Sequence, residues 1–388
     1  MIPYISIRAF VHSPTASAAV DGAFADRHLA HAQGEKKSGG ISAAVAHYRE
    51  HVTPDVLIVE AEHDVLAELP ALADVCDAKT RVLVIGQTND VTLYKCVMKQ
   101  GVSEYLVAPV GAQGLVESLL GLYDDGRNAT DGKTYAFIPS RGGAGSSAIS
   151  HSVAWLLAQH EDKPVMLADL DMAFGSASLS LDVQTKHKLT EALKEPAQID
   201  AALLDRLLAQ RGKHLRVLAP SAALVEEELS VASMRKLIEL GRANFGHTVL
   251  DLPGTWTSAV KEALLDADTV VVTSLPDLVS LRNSRAILDF LLNVRPNDPP
   301  PKLVLNQVGQ RKRPGLATAE YVDALKFQPS AVIKHDAAVF GRAANLGQTI
   351  PEAGPRSSAA RTLSDLAYDL VGQGGTRPTS RRPGFWRL

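Results

Sequence analysis

The sequence predicts an α/β chain of two doubly wound domains, a smaller one followed by a larger parallel-sheet domain. Two observations carry this. Short apolar runs of strand length alternate with helix-length amphipathic stretches along most of the chain, and the alternation breaks once, at YDDGRNATDGK (123–133), where Asp, Gly and Asn cluster as in a linker. A length of 388 residues suits two or three domains better than one. The expected boundaries are 1–123 for the first domain, 124–133 for the linker, 134–373 for the second domain and 374–388 for a flexible basic tail.

In the first domain the strand signals are ISIRAFV, DVLIVEA, RVLVIGQ and EYLVAPV, each closed by polar or turn residues. In the second they are TYAFIPS, PVMLADLD, LRVLAP, HTVLDLP, TVVVTS and PKLVLNQV, with helical intervals such as SVASMRKLIELGRANF and DLVSLRNSRAILDFLLNV. Strands apolar almost throughout fit a parallel sheet buried on both faces. From Gly374 the segment GGTRPTSRRPGFWRL has no periodicity.

Composition narrows the function classes. A hydrophobic fraction of 46% and a charged fraction of 21% describe a globular chain, and a formal charge of −3 gives no chain-wide basic surface for nucleic acid. Two cysteines, Cys76 and Cys96, form no C-x-x-C pair, which suits a reduced, cytoplasmic protein. The N-terminus lacks the pattern of a signal peptide, and no run of 18 apolar residues suggests a membrane span.

The stretch AFIPSRGGAGSSAISHSVAWLLAQ (136–159) has the strand, glycine turn and helix start of a phosphate-binding loop. Against G-x-x-x-x-G-K-[ST], Ser140 stands at the first glycine, Gly145 at the last, Ser146 where the lysine belongs and Ser147 at the Mg²⁺ hydroxyl. Candidate phosphate contacts are Arg141, Gly142, Gly143, Ala144, Gly145, Ser146, Ser147 and Ala148, with the helix N-terminus behind them. Downstream, Asp169 and Asp171 close one apolar strand and Asp251 closes another, where open α/β sheets put ligand groups. Asp251 has the setting of a Walker B carboxylate that would share Mg²⁺ with Ser147. The bland alternative is that these aspartates cap the turns after their strands.

The run of motifs RGGAGSS, LADLDMAFGSASLSLDV, VLDLPG, SLPDLVSLRNSRAILDFL, LVLNQVG and RAANLGQTI resembles the deviant Walker A ATPases of the ParA/MinD group over nearly all of 134–372. D-L-D-x-x-F-G and L-P-D-L-x-x-L-R-N-x-R narrow the resemblance to its pilus-assembly branch, the CpaE/TadZ family of Tad/Flp pilus systems. The resemblance implies ATP or ADP with Mg²⁺ as cofactors. It assigns Asp169 and Asp171 to the metal and attacking-water side and Asn306 to adenine, although a buried turn asparagine would look the same. It implies a homodimer that localises or assembles a pilus secretion machine, at the cell pole or peripherally at the inner membrane, with components of that machine or a polar landmark protein as partners. No specific nucleic acid is expected. Arg141 replaces the first lysine of the family loop and Ser146 the second, so slow or absent hydrolysis is expected, since phosphoryl transfer depends on positioned charge. The alternative is an active ParA/MinD-type ATPase that positions DNA or division proteins.

The first domain resembles a response-regulator receiver that lacks its chemistry. Glu60 stands for the phospho-acceptor, FVHSPT offers no acidic pair, Gly86 replaces the hydroxyl and Ala108 the lysine. A binding module is expected, with Glu60 a solvated strand-end carboxylate in preference to a phosphate mimic. The tail, with Arg377, Arg381, Arg382, Phe385, Trp386 and Arg387, is expected to be solvated; contact with anionic lipid is the other reading.

Overall fold

The computed structural model describes residues 5–26, 29, 32–61, 65–77, 79–122, 132–160, 163–185, 189, 193, 195–220, 229–310 and 315–372. Nearly all of the expected linker and the whole basic tail lie outside the described residues. The chain divides into two compact units, Met1–Asn128 with Arg295–Asn297, and Ala129–Val294 with Asp298–Leu388. Among the described residues no helix is long and apolar enough to cross a membrane.

The smaller unit alternates β1 (Ser6–Val11), α1 (Pro14–Phe24), β2 (Gln33–Ser38), α2 (Ile41–Tyr48), β3 (Val56–Glu60), α3 (Val65–Ala73), β4 (Arg81–Gly86), α4 (Val91–Lys99), β5 (Glu104–Val107) and α5 (Ala112–Leu122). The five strands are parallel in the order β2-β1-β3-β4-β5, the flavodoxin-like order. Period-two alternation divides the core between the faces. Ile7, Ala9 and Val11 pack with Val20, Leu115 and Leu119, whereas Phe10 packs with Ile41, Leu57 and Leu69 on the other side.

The sequence reading passes over β2, QGEKKS, because it is polar on both faces. It pairs with β1 from Ser6↔Gln33 to Val11↔Ser38 as an edge strand. Its lysines suit an edge that must not recruit another strand.

Glu60 corrects another expectation. It is buried rather than solvated, and its Oε2 accepts hydrogen bonds from the backbone N–H of His12 (2.8 Å) and of Ser13 (2.9 Å). Burial pushes its pKa up, but the hydrogen bonds from Ser13 and His12 outweigh that and hold it below the ordinary glutamate value. Gly86 also has a packing reason: a Cβ there would collide with the Tyr105 hydroxyl, which donates to Thr88 O at 3.0 Å.

The larger unit is an eight-stranded sheet built from β6 (Lys133–Pro139), β7 (Val165–Asp169), β8 (Ala209–Arg211), β9 (Leu215–Leu218), β10 (His247–Asp251), β11 (Thr269–Ser274), β12 (Lys302–Val308) and β13 (Ala331–Lys334). Their order is β13-β12-β11-β6-β10-β7-β9-β8, and only β8 runs antiparallel. The expected strands are present; the short β8 and β13 were not read from the sequence. Central strands β7 and β10 are buried at every position, as an apolar run covered by helices on both faces requires. The helix after β6, α6 (Ser146–His160), packs Ile149, Val153 and Leu157 into the core on one face of the sheet.

Candidate functional site

Ser140, Asp169 and Asp251 follow or end neighbouring strands, and β6 lies where the chain order reverses, between β11 and β10. Ligand crevices in doubly wound sheets form at such switch points, outside the carboxyl ends of the strands. The loop from Ser140 to Gly145 spans this crevice and leads into α6.

Two glycines shape the loop. Gly143 (φ 79°) and Gly145 (φ 87°) adopt the left-handed region that disfavours side chains. A Cβ on Gly145 would lie 2.5 Å from Asn306 Nδ2, whereas a Cβ on Gly142 or Gly143 would meet open space. The loop is therefore tight behind and open in front. By helix geometry, the first-turn N–H groups of α6, from Ser146 through Ala148, have no intrahelical acceptor.

Three side chains brace the loop from other elements. Asn306 donates Nδ2–H to Ala144 O at 2.8 Å, Gln307 donates Nε2–H to Gly143 O at 3.2 Å, and Asn283 donates Nδ2–H to Ser140 O at 2.8 Å. A regular strand would send Asn306 and Gln307 to opposite faces. Here β12 shifts its register against β13 between Leu305 and Val308, and Gln307 takes φ 56°, so both reach the loop. Asn306 is fully buried, and its Oδ1 accepts from Gln307 N at 2.8 Å. Both ends of its amide are thus engaged with backbone, which is the buried-turn alternative to adenine recognition.

The cations expected at the loop are altered or absent. Ser146 is 4% exposed, and its Oγ has no hydrogen-bond partner among the described residues. Arg141 Nη1 lies 3.2 Å from Asp277 Oδ2, with both side chains roughly a quarter to a third exposed. Asp277 also accepts Ser280 N at 2.8 Å through Oδ1, capping the helix Leu278–Val294. Asp277→Asn keeps a cap and removes the ion pair, which at this exposure contributes about 1 kcal/mol or less. Released from it, Arg141 should bind a polyphosphate about 3–10-fold more tightly, as read by calorimetry with tripolyphosphate. Weaker binding in the variant would mean that Asp277 holds Arg141 in place for the phosphate.

The aspartates fall into different settings. Asp169 is fully buried; its Oδ2 accepts Ala177 N at 2.9 Å and its Oδ1 accepts Asp171 N at 3.2 Å, tying down the turn before the short helix α7 (Ala177–Ser180). Asp171 accepts Phe174 N at 2.9 Å, a turn cap of the kind the bland alternative describes. Gly175 closes this turn, since a Cβ there would lie 2.6 Å from Pro220 and 2.8 Å from Asp169 Oδ2. Asp251 pairs in register with Asp169 across β10 and β7, and its Oδ1 has no hydrogen-bond partner among the described residues.

The sequence reading missed His151. It lies one turn after Ser147 on α6, 1% exposed, with Nε2 at 3.2 Å from Asp251 Oδ2. That approach is the imidazole's one close polar contact among the described residues, and its Nδ1 has no hydrogen-bond partner there. Burial lowers the imidazole's pKa, but the Asp251 and Asp169 carboxylates outweigh it and leave the value raised. Burial and then the Asp251 charge push Asp169 up to about 6, with His151 opposing. An imidazole on the buried face of an alanine-rich helix was the signal available in the sequence.

Comparison with known proteins gives the larger unit its relatives. The chain is 25% identical over 249 residues to the virulence plasmid ParA family protein pGP5-D of Chlamydia psittaci, spanning 61% of this chain and 94% of that one. It is 26% identical over 244 residues to the septum site-determining protein MinD of Buchnera aphidicola, spanning 60% and 88%. The larger unit is thus similar to proteins of the ParA/MinD family. A solved MinD from Pyrococcus horikoshii, complexed with Mg-ADP, has the same fold at TM-score 0.53 and 16% identity, covering 63% of this chain and 97% of its own. A pilus assembly protein CpaE from Caulobacter crescentus is 41% identical over 31% of this chain and 95% of its own, with TM-score 0.31. No family model matches the chain.

Where the resemblance implies two loop lysines, the sequence has Arg141 and Ser146. A cleft of about 340 Å³ adjoins the loop, lined by Leu275, Pro276, Asp277, Gln307, Leu316 and Ala317 among others.

Proposed function

We propose that this chain is a localisation and assembly factor of a Tad/Flp pilus system, of the CpaE/TadZ kind, that binds ATP at its degenerate loop with little or no hydrolysis. The observation that carries the nucleotide part is the braced, open loop: Gly143 and Gly145 at positive φ, Asn306 and Gln307 fixing its carbonyls, and first-turn amides of α6 that have no intrahelical acceptor. Ser147 and the unpartnered Asp251 Oδ1 suit the Mg²⁺ that accompanies a nucleotide, which would supply charge neutralisation between the phosphates. The adjoining cleft offers room for a base.

What limits hydrolysis is charge. A buried serine stands in the transferring lysine's place, and Arg141 is paired within its own chain. ATP then acts through differential binding, favouring one arrangement of a homodimer without turnover. The pilus assignment rests on the two motifs that narrow the resemblance. Asp277 and Asn283 of L-P-D-L-x-x-L-R-N-x-R tie that motif to the loop, and Asp169 and Asp171 of D-L-D-x-x-F-G form the turn beside it. The partners proposed are a second copy and a component of the secretion machine or a polar landmark, met at the cytoplasmic pole or at the inner-membrane surface.

Calorimetric titration with Mg·ATP tests the site. Wild type should bind more tightly than about 1 mM, which is about −4 kcal/mol. Gly145→Val should not bind, because a β-branched residue cannot take φ 87° against Asn306; Asp251→Ala should bind at least tenfold more weakly in the presence of Mg²⁺. Absence of wild-type binding at millimolar ATP would remove the nucleotide reading. Turnover at the rate of ordinary ParA/MinD enzymes in the same samples would favour the alternative, an active ATPase that positions DNA or division proteins.

A further inference from the structure

We propose that His151, Asp169 and Asp251 form a site for a first-row transition-metal dication of the zinc class, which binds independently of nucleotide. One ligand atom from each lies within 4.8 Å of the other two, and the three residues are 1%, 0% and 2% exposed. Bonds of about 2.0–2.1 Å at tetrahedral angles put two ligand atoms about 3.3 Å apart. The 3.2 Å between His151 Nε2 and Asp251 Oδ2 matches that spacing.

The unsatisfied atoms point the same way. Among the described residues His151 Nδ1 and Asp251 Oδ1 are buried without a hydrogen-bond partner, and Nε2 has only its 3.2 Å approach to Asp251 Oδ2, so a cation bound by imidazole and carboxylate satisfies buried polar atoms there. Asp169 is held in orientation by the N–H groups of Asp171 and Ala177, the outer-shell support that ligating carboxylates require. Charge fits as well, since a dication with two carboxylates and a neutral imidazole sums to zero in a buried setting. An imidazole ligand favours zinc, cobalt, nickel or iron over Mg²⁺, which prefers oxygen ligands and retained water.

Metal-stripped full-length protein, without nucleotide, should be titrated with Co²⁺ and followed by its visible d–d absorption. One Co²⁺ per chain is expected, displaced by Zn²⁺ and resistant to a hundredfold excess of Mg²⁺. His151→Ala and Asp251→Asn should each lower Co²⁺ affinity at least tenfold, with circular dichroism confirming that the variants fold. Zn²⁺ should also raise the melting temperature of the wild type, a readout that depends on no variant. Absence of Co²⁺ binding at micromolar protein, displacement by Mg²⁺, or equal affinity in folded His151→Ala would overturn the proposal. Because no nucleotide is present, such a result leaves the Mg·ATP reading to its own test.

Discussion

Replacing Glu60 by alanine is expected to lower the melting temperature of the smaller unit by on the order of 10 °C, a loss of about 2 kcal/mol. The residue is 4% exposed, and one of its oxygens holds the N–H groups of both His12 and Ser13 at the start of α1. Alanine removes the acceptor and leaves these donors without a charged partner. Glu60→Gln retains a neutral acceptor and should fall between wild type and Glu60→Ala. The pH dependence follows from the depressed pKa. A carboxyl held below its unfolded value contributes stability that is present above that value, 4.5, and is lost as pH falls through the folded one. The gap between wild type and Glu60→Gln should therefore be full at neutral pH and close in acid. Calorimetric scanning of the full chain at both pH values measures it; a gap that persists in acid would show that packing, not charge, accounts for the effect.

Glu60 also shows where sequence reading reaches its limit. The β3 run VLIVE makes the strand and its end legible, because parallel central strands carry their burial in composition. The surroundings of its last carboxylate come from the β1–α1 turn, almost fifty residues earlier, and no local pattern announces that contact. The same contrast holds in the larger unit. Apolar runs revealed β6, β7, β10, β11 and β12, and glycine spacing revealed the loop, since both are local signals. Polar β2 and the short β8 and β13 lack such a signal, being edge or near-edge strands whose pairing supplies what their composition does not. His151, Gln307 and Asn283 were missed for a further reason: their roles arise only when α6, β12 and the helix Leu278–Val294 converge on one crevice. The ParA/MinD resemblance points to the loop and its carboxylates as candidates, and the side chains that hold them are matters of tertiary contact.

Asn306→Ala is expected to weaken ATP and tripolyphosphate binding by the same factor, at least tenfold. If Asn306 read the base, the variant would lose affinity for ATP alone, because tripolyphosphate has no base to lose. The geometry favours the equal loss. Nδ2 donates to Ala144 O, Oδ1 accepts from Gln307 N, and the residue is fully buried, so recognition of a base edge would require the amide to leave both partners. Truncation leaves the Ala144 carbonyl without its donor and opens space behind Gly145, whose φ of 87° depends on a loop held in one conformation. A loosened cradle must be ordered by its ligand, and that cost falls on every polyphosphate equally. Asn306→Asp sharpens the test: an ionised carboxylate cannot donate to Ala144 O and adds a negative charge behind the loop, so its loss should exceed that of alanine for both ligands. Calorimetric titration of the three proteins with both ligands reads the ratio directly. A ratio near one supports a phosphate loop whose shape is set from β12, which is how a chain without the family's lysines can keep its cradle.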